Sequence, residues 1–288
     1  GSGVSAFVAI MRGCDNFCSY CVVPYTRGRE RSRDAETIVA EARSLFENGY
    51  REVTLLGQNV NSYRFGEVDF PGLMRRVASV SPLLRVRFAT SHPKDISDRL
   101  LEVMAEMPNI CRAIHLPAQS GASSMLARMN RKYNTAEFLA CVERLRRYFP
   151  GCALTADMIT GFPGETEADQ AAAVAFLEQV GFAAVHVFPY SRRPGTKADA
   201  MPEQLSHAVK SARAHEAQRV ADACKQRYLV QQVGQTLPVL FETEHDGSWV
   251  GHSDNYCLVR AAGDDLRGLV KNVKISAVSG QMLVGDLV

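Results

Sequence analysis

A chain of 288 residues has room for one large domain with a small one beside it, or for a single barrel. Its 33 basic and 31 acidic side chains nearly cancel, so net charge speaks neither for nor against nucleic acid. No apolar run reaches the length of a membrane span, and eight cysteines in a chain this long exclude a disulfide-dense secreted scaffold.

Gly1-Ser2-Gly3 reads as a cloning remnant, and no charged-then-apolar leader follows it. The first two thirds of the chain then alternates strand-like and helix-like segments. The strand candidates are short, rich in Val, Ile, Leu and Phe, and cover 6–11, 52–56, 84–90, 112–116, 153–159 and 184–188. Helical patterns lie between them. The first covers 34–48, with Asp34 as N-cap and Gly49 as stop. Others cover 97–107, halted by Pro108, then 134–148, and 167–180, ending at Gly181. Six strands alternating with helices predict a parallel α/β sheet. Six units are too few for an eight-fold barrel, and the pattern admits both a partial barrel and a doubly wound sheet.

Residues 202–228 read as one long, Ala-rich helix. Beyond it come five short strands at 237–242, 248–251, 256–261, 268–277 and 282–287, separated by turn signals. They predict a small all-β barrel of the OB type over 229–288.

The first strand candidate runs into Gly13-Cys14-Asp15-Asn16-Phe17-Cys18-Ser19-Tyr20-Cys21. This spacing offers three thiolates and no fourth, whereas a closed zinc site wants four ligands. An iron–sulfur cube held by three thiolates leaves one iron open to a small molecule. The other cysteines, Cys111, Cys141, Cys152, Cys224 and Cys257, are scattered singly and read as buried small hydrophobes, which fits a reducing cytoplasm.

In parallel α/β folds chemistry gathers at the C-terminal ends of the strands. Here those ends carry Gln58, Asn59 and Asn61, then Ser91 and His92, then Gln119 and Ser120. Asp157 lies on the fifth strand, which ends at Gly161 and Glu165, and Tyr190 follows the sixth. Such amides, hydroxyls and carboxylates can hold ribose hydroxyls or the ammonium and carboxylate of a ligand. Singly, each is equally a turn or cap residue. His115 and His186, inside strands, read as core histidines.

After the cysteines come Arg27, Arg29, Arg31 and Arg33 at alternate positions, which would project on one side of an extended segment. They are candidates for contact with a substrate backbone. The C-terminal segment holds four basic residues, Arg260, Arg267, Lys271 and Lys274, against seven acidic ones. RNA recognition there would need a local patch, such as Lys271 and Lys274 with Trp249 or Tyr256 stacking on a base. The alternative places both aromatics in the barrel core.

The cysteine run with Tyr20 before its last member resembles radical S-adenosylmethionine enzymes. The residues from Gly13 to Glu30 are similar to those of the methylthiotransferases, and Glu52-Val53-Thr54-Leu55-Leu56-Gly57-Gln58-Asn59-Val60-Asn61-Ser62-Tyr63 resembles their tRNA (MiaB-type) branch. Ser91-His92-Pro93, His115-Leu116-Pro117-Ala118-Gln119-Ser120-Gly121 and Tyr190-Ser191-Arg192-Arg193-Pro194-Gly195-Thr196 match as well, and the last sixty residues resemble a TRAM domain. The resemblance implies a partial (β/α)6 TIM-like barrel over 4–201, a linker helix over 202–228 and a TRAM (OB-like) barrel over 229–288.

It implies further that Cys14, Cys18 and Cys21 hold a 4Fe–4S cluster whose open iron chelates S-adenosylmethionine. The residues at the strand ends, with Tyr20, would line the cofactor site. One electron, from a reductase or flavodoxin-type donor, would release a 5′-deoxyadenosyl radical. A methylthio group would then be placed on C2 of N6-isopentenyladenosine in the anticodon stem-loop of a tRNA. Family members carry an auxiliary 4Fe–4S cluster in an N-terminal domain, and this sequence has no second cysteine cluster. The expectation is therefore that this chain cleaves S-adenosylmethionine without completing methylthiolation. Two alternatives stand: a sister enzyme acting on threonylcarbamoyladenosine or a ribosomal protein, and, remotely, a zinc-stabilised RNA-binding protein.

Overall fold

After each of the first five long strands a connecting segment returns the chain to begin the next strand in parallel. A computed structural model describes residues 3–21, 23–89 and 91–288. Gly1 and Ser2 of the expected remnant, Val22 beside the cysteines and Thr90 at the expected end of the third strand lie outside the described residues.

The strands are β1 (Ser5–Ala9), β2 (Glu52–Leu56), β3 (Arg85–Ala89), β4 (Ala113–His115), β5 (Ala153–Thr160) and β6 (Ala184–Pro189). β1, β2 and β3 form one parallel ladder and β4, β5 and β6 a second. The two are joined by a parallel bridge from Val86 to Ile110. Among the described residues no ladder joins β6 back to β1, so the sheet curls into a partial barrel.

The helices stop and start where local chemistry requires. In α1 (Ala35–Glu47), Asp34 accepts from the Glu36 N–H. The helix α2 (Phe70–Ala78) is absent from the sequence reading. Asp69 caps it and Pro71 sits in its first turn, where a missing N–H costs nothing. α3 (Asp98–Glu106) is capped by Ser97, and α4 (Ser123–Arg128) is a short, unpredicted helix. α5 (Thr135–Tyr148) opens with a reciprocal Asn134–Glu137 box. α6 (Glu167–Val180) ends at Gly181, whose φ of 65° is left-handed. One continuous core lies between strands and helices, including Val8, Leu55, Val86, Ile114, Leu154 and Phe138. The five scattered cysteines are all buried and free.

The long helix α7 runs from His207 to Gln231, later at both ends than the sequence pattern predicts. Ser206 caps it by accepting from the Val209 N–H, which displaces the start. It leads to β7 (Thr236–His245), β8 (Ser248–Ser253), β9 (Leu258–Ala262), β10 (Val270–Ser279) and β11 (Met282–Leu287). These close in the order β7-β8-β9-β11-β10, with β9 and β11 parallel. Trp249 fills the core of this barrel at 7% exposure, whereas Tyr256 is 54% exposed and stacks on His252 at 4.6 Å.

The small barrel is clamped to the large one by two arginines of β3. Arg85 donates to the carbonyls of His252 and Pro238, both at 2.9 Å. Arg87 donates to Ser253 O at 2.7 Å and to Glu52 at 2.9 Å, and the three side chains are nearly buried. The alternation Arg-Val-Arg-Phe suggests a half-solvated strand. Instead its polar face is roofed by the C-terminal barrel.

Candidate active site

The loop after β1 is held in shape by backbone. Gly13 has φ 72°, and a Cβ there would lie 2.3 Å from Arg29 O and 2.6 Å from Gly28 O. Only glycine permits that approach. Cys14 N donates to Gly28 O at 3.4 Å, and Cys21 N to Cys18 O at 3.1 Å. The loop is tied to the segment after α4 by Ser19 N to Met129 O at 2.9 Å and by Asn130 Nδ2 to Phe17 O at 2.8 Å. Cys18 is buried, and Cys14 and Cys21 are half-buried.

Sequence reasoning missed the side chain that sits under these thiols. Arg131 donates to Cys18 Sγ at 3.1 Å and to the Tyr20 hydroxyl at 3.3 Å. Burial opposes its charge, but Tyr20, Tyr133 and Cys18 around it prevail and hold its pKa above the usual arginine value. Burial pushes the Cys14 thiol up, and the neighbouring Cys18 and Cys21 add to that. Three clustered thiols thus favour a cationic partner, and metal binding would release their protons. Nothing in the polar run Asn130-Arg131-Lys132 marks Arg131 out by period or motif.

Beside Cys21 opens a cavity of about 560 Å³, lined by Tyr20, Gln119, Asp157, Tyr190 and Arg193 among others. Gln119 is held at φ 67° between the Asp157 carbonyl, to which its N–H donates, and the Ile159 N–H, which it accepts. The Asp157 carboxylate meets His115 Nε2 at 3.1 Å, and His115 Nδ1 meets Thr155 at 2.8 Å. The Tyr190 hydroxyl is buried without a hydrogen-bond partner; nearby Thr196 is engaged with Arg193 O and Asp199 N.

Several predicted site residues are tied up elsewhere. Asn59, 2% exposed, bridges Asp95 and the His92 N–H. Asn61 donates to Ser91 at 2.6 Å, and Ser120 accepts from Ala122 N. Glu165, with a side chain 2% exposed, accepts from Gly161 N at 3.0 Å and pairs with Arg213 at 2.9 Å. It locks the turn after β5 rather than facing the cavity. Gly161, at φ 70°, lies so close to Lys210 that no Cβ fits. His92 is buried with Nε2 unpartnered, edge-on to Tyr133. Gln58 is exposed, and so is His186, contrary to its reading as a core residue, because it lies on the edge strand β6.

The arginines do not form one extended row. Arg27 lies in the turn after a short helix, Arg29 pairs with Asp15 at 2.6 Å, and Arg33 pairs with Glu41 and Ala9 O. Arg31 alone lies in a short strand. Lys271 and Lys274 are exposed on β10.

The Radical SAM superfamily profile matches residues 8–177, from β1 through most of α6. The chain belongs to this superfamily. Among curated proteins it is 45% identical to the tRNA-2-methylthio-N(6)-dimethylallyladenosine synthase of Bacteroides thetaiotaomicron, over 99% of this chain and 65% of that protein. The synthase of the same name from Geobacter sulfurreducens is 46% identical, over 99% of this chain and 66% of the relative. The chain therefore spans about 65% of the length of these relatives. Among solved structures, the radical S-adenosylmethionine methyltransferase TsrM of Kitasatospora setae superposes with TM-score 0.57 at 20% identity, over 69% of this chain and 38% of that one. Coproporphyrinogen III oxidase (HemN) of Escherichia coli gives TM-score 0.56 at 10% identity, over 87% and 67%. These likenesses concern the fold.

Radical SAM proteins use a 4Fe–4S cluster and S-adenosylmethionine. The residues of this site fit both. Three thiols stand on one loop with a half-buried cation at Cys18, and a cavity opens beside Cys21. Among the described residues no three Cys, His, Asp or Glu side chains converge as a single metal ion requires. A cluster, by contrast, spreads its thiolates over separate irons.

Proposed function

We propose that this chain is the catalytic and RNA-binding part of a tRNA methylthiotransferase acting on C2 of N6-isopentenyladenosine beside the anticodon. The observation that carries this reading is 45% identity over 99% of the chain to synthases of that name. In it, residues 4–201 are the catalytic barrel, 202–228 the linker helix and 229–288 a TRAM domain.

Cys14, Cys18 and Cys21 would hold the cluster, which when bound supplies the electron that cleaves the sulfonium of S-adenosylmethionine. Arg131 holds positive charge against Cys18 and keeps the Tyr20 ring in place. Tyr20, Gln119, Asp157 and Tyr190 offer a hydroxyl, an amide and a carboxylate to the nucleoside and amino-acid ends of the ligand. His115 orients Asp157 from below. Ile159 and Phe188 give the cavity apolar walls. The sulfur-donating auxiliary cluster belongs, in this reading, to protein outside these 288 residues. A reductase or flavodoxin-type donor and a cytoplasmic setting complete it.

Anaerobic reconstitution and reduction should give 5′-deoxyadenosine from S-adenosylmethionine, with about one cluster per chain. Cys18→Ala should abolish the product. Tetrahedral zinc in protein prepared without oxygen would refute the radical chemistry. With a relative's N-terminal domain supplied, mass spectrometry of tRNA nucleosides would separate this substrate from threonylcarbamoyladenosine.

A further inference from the structure

Two short ribbons lie side by side next to the cysteine loop. One pairs Met11 with Ser32 and Arg12 with Arg31; the other pairs Arg64 with Asp69 and Phe65 with Val68. The Arg64 N–H donates to Ser32 Oγ at 3.0 Å, and the Tyr63 hydroxyl to Arg33 O at 2.7 Å, so the ribbons share an edge.

Arg12, Arg31 and Arg64 are all exposed. Arg12 and Arg31 stand directly opposite each other, an arrangement in which like charges repel. Among the described residues none of the three makes an ion pair. Glu67, at the turn of the second ribbon, is exposed, Asp69 opposite Arg64 pairs with Arg99 instead, and Arg64 Nη1 meets only the Gly66 carbonyl at 3.5 Å. Arg29 and Arg33, by contrast, are neutralised by Asp15 and Glu41. Phe65, next to Arg64, is 43% exposed, and Tyr25, two residues before Arg27, is 56% exposed.

Exposed guanidinium groups without ion pairs, interleaved with exposed aromatic rings, are what a nucleic-acid backbone and its unstacked bases need. We propose that Arg12, Arg31 and Arg64 form a phosphate-binding ribbon for the RNA substrate, with Phe65 as a stacking surface at its edge. This rests on the RNA reading above. It adds Arg12 and Arg64, which come together with Arg31 only through the pairing of the two ribbons. An acidic redox protein could meet the same charges but would leave the exposed rings unused.

The test uses the 288-residue chain, an anticodon stem-loop RNA and fluorescence anisotropy across a salt series. In the double variant Arg12→Gln/Arg31→Gln, the magnitude of the slope of log K against log salt should fall by about 1.4 to 1.8. Affinity at low salt should drop about tenfold or more. The Arg12→Lys/Arg31→Lys variant keeps the charge and should restore the slope, and thermal melting confirms that each variant is folded. An unchanged slope in a folded Gln variant overturns the proposal while leaving the RNA reading intact. So does slower reduction by an acidic flavodoxin with RNA binding unaffected. If the unaltered chain binds no RNA, the reading beneath it fails first.

Discussion

Arg131, half-buried, places a guanidinium 3.1 Å from the sulfur of the buried Cys18. A cation there favours the more negative, reduced form of whatever the thiolates hold. At an effective dielectric of 20 and roughly 7 Å, one unit charge is worth about 2 kcal/mol. For a one-electron couple that corresponds to on the order of 100 mV. Arg131→Gln should lower the cluster's midpoint potential by that amount in a spectroscopic redox titration. An unshifted potential with normal iron content would show that Arg131 only packs.

Gly13 carries the second expectation. Its Cβ position collides with backbone atoms, which cannot swing aside as a side chain would. Gly13→Ala should leave the barrel folded, since the loop lies outside the core, yet displace Cys14. Iron per chain after anaerobic reconstitution should fall to roughly half or less. Full occupancy would mean that the loop finds a second path.

His92 gives a pH signature. Burial, with Arg131 and Lys94 adding, lowers its pKa from 6.5 to about 2 in the folded chain. The unfolded chain binds a proton there at pH 5 and the folded chain does not. The stability concerned is therefore complete above about pH 6.5 and is lost as the pH falls toward 2, at about 1.4 kcal/mol per unit. Between pH 6.5 and 5 the unaltered chain should lose about 2 kcal/mol more than His92→Gln. Denaturant titrations at the two pH values measure the difference, and parallel losses would contradict it.

Tyr190 concerns ligand binding. Tyr190 lines the cavity and its hydroxyl is buried without a hydrogen-bond partner, so the cost of desolvating it is already met before any ligand binds. Tyr190→Phe should leave the melting temperature unchanged or raise it slightly. Binding of S-adenosylmethionine should weaken about five- to tenfold, one neutral hydrogen bond's worth. Equal affinity in both proteins would show that the hydroxyl faces away from the ligand.

The strands themselves and most helix ends were legible because they depend on local chemistry, whereas the pattern left the order of the strands open between a partial barrel and a doubly wound sheet. Asp34, Asn134 and Gly181 act where their residue types predict. The cysteine loop was legible because its spacing is local as well. The surroundings of those thiols were not. Arg131 reaches Cys18 from 113 residues away along the chain, and no period or motif encodes such a meeting. Asn59, Ser120 and Glu165 misled in the opposite direction. Polar residues at strand ends look alike in sequence whether they face a ligand or close a turn, and only the fold brought Arg213 to Glu165. Helix α2 escaped because Pro71 and Gly72 near its start resemble a loop.

The clamp made by Arg85 and Arg87 also bears on how the molecule is assembled. Arg85 leaves the ribosome 167 residues before the carbonyl of His252 that receives it. At ordinary synthesis speeds that interval is on the order of ten seconds or more. Through it the underside of the nascent barrel stays hydrated, with Glu52 as Arg87's carboxylate partner. The later-made domain is thus a keystone for the earlier one: the sheet behind the cysteine loop is sealed only once the carbonyls of Pro238, His252 and Ser253 have been made.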